Sequence, residues 1–209
     1  MGKVFIFLLL GGLVGPDGYA VSPGMLILAQ RLASFGEVST HLWSAPDDVW
    51  QRIAALSPAD KVVLIGFSGG GFAITEVAEA LDRNPGHKVD LLIAYDPSPT
   101  WSGKSIGKNV ARAICYCNDL PLFFGLGGGE LKGSNVENVS IAMPHPVVQF
   151  DERLHRRTIA EVEKLAASNN EKPVAQGGRV EPYAVPDNYS GRSQPSIMPS
   201  GQTAHPSFR

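Results

Sequence analysis

The sequence predicts an α/β fold: a mainly parallel sheet of about six strands with helices on both faces. Short apolar runs alternate with stretches of helical apolar period, and glycine or proline marks the junctions. Residues 4–10 (VFIFLLL), 61–66 (KVVLIG) and 89–95 (VDLLIAY) are nearly continuous apolar runs, the pattern of strands buried on both faces.

The first strand, 4–10, leads into a glycine-rich loop over 11–21. Ser22 and Pro23 read as N-cap and first helical residue. Met25, Leu26, Leu28, Ala29, Leu32 and Ala33 give that helix its apolar face, and Gly36 ends it. A short strand follows at 38–43. A brief helix covers 47–56, with Val49, Ile53 and Leu56 on one side. Strand 61–66 runs into a helix at 70–82, closed by Asn84-Pro85-Gly86. Strand 89–95 comes next, then strands at 110–117 and 136–143, and an amphipathic helix at 152–167. Strands separated by helices form βαβ units, which make parallel sheets.

One domain is expected over residues 1–168. Residues 169–209 are rich in Pro, Ser, Gly, Asn and Gln. Such a stretch buries too little apolar surface to offset its ordering entropy, so a disordered tail is expected. A net charge of -2 provides no broad phosphate-neutralising surface, which argues against nucleic acid as a partner. Cys115 and Cys117 are too few for a disulfide scaffold; on an alternating strand they share one face as small hydrophobes.

The run at 4–10 is far shorter than the ~20 residues that span a bilayer, so no integral membrane segment is expected. It could be the apolar part of a signal peptide cleaved after Ala20. The strand reading is preferred, because only Lys3 precedes the run and the sheet needs it. A cytoplasmic protein is then expected, with secretion as the alternative.

Gly66-Phe67-Ser68-Gly69-Gly70 fits G-x-S-x-G between a strong strand and a helix, the setting of a nucleophile elbow. A serine on such a turn projects its hydroxyl above the sheet edge. Small residues two before and two after it let strand and helix approach. The alternatives are a structural turn or a phosphate loop, but no lysine follows as a Walker loop requires.

The serine needs a base and the base an orienting acid. His145 follows the strand at 136–143, at the same sheet edge as Ser68, where sites in open α/β sheets gather. His87 lies at the opposite edge, His205 in the tail, His41 in an earlier strand and His155 on the solvated face of the last helix. Asp96 ends strand 89–95 at the right edge and is preferred as the acid; Asp119, after the next strand, is the alternative. Two backbone N–H groups should hold an oxyanion: Gly69 gives one, and Leu13 or Gly12 the other.

Assembled, these residues resemble the α/β-hydrolase superfamily over about residues 3–167. The order Ser68, Asp96, His145 is that superfamily's. Ala94-Tyr95-Asp96-Pro97-Ser98-Pro99 resembles the L-D-P-A-x-P stretch in which pancreatic-type lipases carry their acid, and this supports Asp96. The chain is also similar to small bacterial lipase-like and thioesterase-like hydrolases, whose elbow usually reads G-H-S-x-G-G; Phe67 replaces that histidine.

The resemblance implies a minimal sheet, without the two N-terminal antiparallel strands of larger members, and no metal or organic cofactor. It implies a serine hydrolase acting on a small-molecule or lipid ester through a Ser-His-Asp triad. An acyl-thioesterase or acyltransferase with the same triad is the alternative, as is an inactive hydrolase fold used for binding. Residues 120–134 could form a flap, with Leu122, Phe123 and Phe124 as its apolar wall or as core.

Overall fold

The structure, a computed structural model, describes residues 2–12, 22–84, 87–98, 104–119, 127–169 and 180–181. Seven strands are assigned among them: β1 (Val4–Leu10), β2 (Glu37–Leu42), β3 (Lys61–Phe67), β4 (Leu91–Tyr95), β5 (Ala113–Asn118), β6 (Val136–Ile141) and β7 (Val180–Glu181). They lie in the order β6-β5-β4-β3-β1-β2-β7, and every pair is parallel. The helices are α1 (Pro23–Leu32), α2 (Pro46–Ala54), α3 (Gly69–Arg83), α4 (His145–Val148) and α5 (Glu152–Asn169).

The central strands bury both faces, as their unbroken apolar runs predict. Ile6, Leu8 and Leu10 of β1 pack with Met25, Leu28 and Leu32 of α1 and Val162 of α5. Phe7 and Leu9 face the other way, onto Val49 and Ile53 of α2 and Ile74 and Val77 of α3. Each large aliphatic side chain buried in this way contributes about 1.5–3 kcal/mol. Helices on both faces cover the sheet, so an α/β fold is observed.

The chain reverses direction across the sheet at β1. It steps outward to β2, then returns to place β3 on the other side of β1. A crevice opens at the carboxyl ends of strands at such a switch point. Gly11, directly after β1, and Ser68, directly after β3, therefore meet there. A Cβ on Gly11 would stand 2.8 Å from the Ser68 Cβ.

Several expectations are corrected. Leu26, read as part of the buried face of α1, is 40% exposed. The strand at 110–117 begins only at Ala113; Val110 makes an isolated bridge to Val89. Of the expected tail, Val180 and Glu181 pair with Val38 and Ser39 at the sheet edge, while residues 170–179 and 182–209 lie outside the described residues, so that expectation is not among the corrections. Leu122, Phe123 and Phe124 lie outside the described residues, as does His205. Cys115 and Cys117 are buried on one face of β5 as expected, but the structure joins them in a disulfide rather than leaving two thiols.

His155 is corrected most sharply. It is not on a solvated face: it is 2% exposed, and its Nε2 donates to the Gln149 carbonyl at 2.7 Å. Leu154, His155, Thr158 and Val162 are all buried, so they form the inner stripe of α5. On that stripe the Thr158 hydroxyl meets the Tyr95 hydroxyl at 2.5 Å, and the latter also donates to the Leu154 carbonyl. These bonds tie α5 to β4.

Burial holds the His155 imidazole below its ordinary value of 6.5, against the opposing effect of its bond to Gln149. The unfolded chain therefore takes up this proton at higher pH than the folded one. The resulting stability is complete above about pH 6.5 and declines as pH falls below it. Urea midpoints should fall between about pH 7 and pH 5. His155→Gln, which retains an N–H donor for Gln149, should flatten that fall, and an unchanged slope contradicts the assignment.

Candidate active site

The chain from β3 to α3 must reverse within one residue, and Ser68 is that residue. Its φ is 56° and ψ -119°, a conformation L-residues rarely adopt. Its N–H donates to the Tyr95 carbonyl at 3.0 Å, and its carbonyl accepts from Phe72 in the first turn of α3. The small neighbours are obligatory. A Cβ on Gly66 would stand 2.2 Å from the Gly70 oxygen, and one on Gly70 would stand 1.9 Å from the Leu9 oxygen. Ser68 is 7% exposed and directly precedes Gly69, the first residue of α3. The leading N–H groups of a helix have no acceptor within it, so they favour negative charge beside Ser68.

Asp96 ends β4 in the same manner, with a positive φ of 43°. It is fully buried. A carboxylate in that position requires donors. It has them: the Gly128 N–H at 2.6 Å, the Asn118 N–H at 3.3 Å, the Asn118 side-chain amide at 3.4 Å, and Nδ1 of His145 at 2.6 Å. The carboxylate accepts, so Nδ1 of His145 carries the proton in this pair. Gly127 has a φ of +80°, and a Cβ there would lie 2.2 Å from the Asp96 Oδ2.

His145 follows β6 as the sequence predicts, and it is the first residue of the four-residue helix α4, behind Pro144 and before Pro146. Its side chain is 11% exposed. Its ring stacks on Phe67, centroids 4.9 Å apart and planes 21° apart. Phe67, read from sequence as a departure from G-H-S-x-G-G, thus supplies a wall against the imidazole. Asn118 also donates through its side chain to the Met143 carbonyl, bracing the chain just ahead of His145.

Ser68 and the Asp96–His145 pair thus occupy the carboxyl edge of β3, β4 and β6. Ser68 and Asp96 are linked through backbone, since Ser68 N–H bonds the residue before Asp96. Asp119 is elsewhere: it is exposed and accepts from the Ser140 hydroxyl. His41 pairs with the Ser39 hydroxyl at 2.9 Å on β2. His87 precedes β4, at the far edge of the sheet. Of the expected oxyanion donors, Gly69 heads α3 and Gly12 has a φ of 111°; Leu13 lies outside the described residues. Among the described residues, no group of three or more His, Cys, Asp or Glu is placed to hold a metal. No described helix is long and apolar enough to cross a membrane.

Asn118, Gly127 and Gly128 were not identified from sequence. The run Gly127-Gly128-Gly129 was the available sign of a close backbone approach. Asn118 carries no local sign.

No protein-family model and no curated protein matches the chain. A solved structure from Xanthomonas campestris pv. campestris, given as a putative hydrolase of the alpha/beta superfamily, is similar with a TM-score of 0.44 and 14% identity. The similarity covers 80% of this chain and 99% of that one.

The arrangement offers a hydroxyl, an imidazole and a buried carboxylate at one edge of the sheet. Asp96→Asn would replace one acceptor oxygen by an amide donor and disturb the bond that sets the imidazole tautomer, and the hydrolysis proposed below should then fall by about 10⁴. Asp119→Asn should leave it within about twofold, as for other surface changes. Steady-state kinetics of both variants checks this, and equal effects contradict it.

Proposed function

We propose that the chain is a serine hydrolase of the α/β-hydrolase type, cleaving a carboxylic ester of a small molecule or lipid. One observation carries the reading: the buried Asp96 carboxylate accepts a hydrogen bond from Nδ1 of His145 at 2.6 Å, at the sheet edge where Ser68 sits in a strained turn. Burying a carboxylate and straining two strand ends are each costly, and the proposed chemistry gives a reason for keeping both.

Ser68 Oγ attacks the ester carbonyl carbon, and its proton passes to Nε2 of His145. Asp96 holds Nδ1–H and stabilises the imidazolium. The N–H of Gly69 and one from the Gly12–Leu13 segment receive the oxyanion. The tetrahedral species collapses, and the alcohol leaves with the proton from Nε2. Water then gives a proton to Nε2 as it attacks the acyl-serine carbonyl; the second tetrahedral species collapses, the bond to Ser68 Oγ breaks, Oγ takes the proton back from Nε2, and the acid is released.

The test is hydrolysis of a series of p-nitrophenyl esters by the wild type and by Ser68→Ala. The substitution should lower kcat by about 10⁴–10⁶ with the melting temperature retained. A variant that keeps most of its activity, or a folded wild type that turns over no ester or thioester, overturns the reading.

A further inference from the structure

Ser22 precedes Pro23 at the start of α1, where a serine side chain usually accepts a hydrogen bond from an N–H of the first turn. It makes no such bond. The backbone carbonyl of Ser22 instead accepts from Met25 at 3.0 Å and Leu26 at 3.2 Å, so the helix starts without help from the hydroxyl. Ser22 is fully buried, and its Oγ donates to the carbonyl of Gly11 at 2.5 Å.

Gly11 is the residue packed on the elbow. A Cβ there would stand 2.1 Å from the Phe67 oxygen and 2.8 Å from the Ser68 Cβ. In a trans peptide the C=O of one residue and the N–H of the next point in opposite directions. No described peptide bond is cis. A bond that fixes the Gly11 carbonyl therefore also fixes the Gly12 N–H, pointing away from Ser22. Two glycines in sequence, with Gly12 at a φ of 111°, would otherwise leave that peptide plane free to rotate.

We propose that Ser22 is a positioning residue: its hydroxyl locks the Gly11–Gly12 peptide, and with it the oxyanion donor that follows β1. This rests on the hydrolase reading and adds the device that preorganises one of its two donors. The same bond joins the two ends of the segment that carries the donor, residues 11 and 22. Preorganised donors stabilise charge without reorganising during the reaction, and a misplacement of about 1 Å costs about 10² in rate.

The experiment compares the wild type with Ser22→Ala and Ser22→Cys, using an ester the wild type turns over. Ser22→Ala removes the donor. Ser22→Cys keeps the shape with a weaker donor, and carries the test if Ser22→Ala melts below the assay temperature. The expected kcat order is Ser, Cys, Ala, spanning about tenfold to 100-fold, with KM within about twofold because substrate binding is not addressed. Affinity for an alkyl boronic acid, whose boron takes up Ser68 Oγ to form a tetrahedral anion, should fall in the same order. Wild-type kcat and boronate affinity in both variants overturn the proposal, as does a KM rise with kcat unchanged. If the wild type forms no boronate adduct and turns over no ester, the hydrolase reading fails and this inference fails with it. An active wild type with indifferent Ser22 variants removes this inference alone.

Discussion

The approach of α3 to β1 controls the geometry of this molecule. The Gly70 backbone touches the Leu9 carbonyl so closely that a Cβ would stand 1.9 Å from its oxygen. Backbone can come that near only where two glycines, Gly66 and Gly70, bracket the turn. The short distance leaves Ser68 no ordinary conformation, and its φ of 56° is the consequence. The strain is held by the packing of β3 between β1 and β4, the best-buried part of the sheet. The turn also brings the start of α3 to the edge where β1 ends, so Gly11 and Ser68 come into contact.

A second constraint follows from burial. Asp96 is fully buried, and among the described residues no lysine or arginine accompanies it in an ion pair. Its oxygens are served by backbone and amide donors, Gly128 and Asn118, and by His145. Neutral donors satisfy a carboxylate without cancelling its charge, so the charge remains available to the imidazole. Gly127 is needed because a Cβ there would stand 2.2 Å from the Asp96 Oδ2, and Gly128 because its φ of 84° is one that L side chains rarely adopt. Asn118 joins the acid to the chain before His145, so the two strands after β4 contribute structure to a pair that neither strand carries.

The large features were legible because they rest on simple periodicities. Buried parallel strands read as unbroken apolar runs, and β1, β3 and β4 announced themselves in that way. Ser68, Asp96 and His145 were legible as candidates because each follows a strand at one edge of the sheet. What was missed is of another kind. The helix α4 is four residues long and too short for a helical period. Arg156 and Arg157 beside His155 suggest a solvated face, although its spacing from Thr158 and Val162 places it on the buried stripe. The hydroxyl of Ser22 was assigned to the nearest helix, whereas it bonds across the loop to Gly11. Asn118 and Gly128 act through tertiary contacts, for which a single sequence offers no period.

The proposed hydrolysis requires Ser68 to be an activated nucleophile. A fluorophosphonate probe on the folded wild type, with the adduct located by peptide mass, tests it most directly. Labelling should be confined to Ser68, abolished by heat denaturation and strongly slowed in His145→Ala. A folded protein labelled elsewhere, or labelled at Ser68 equally fast without His145, would contradict it.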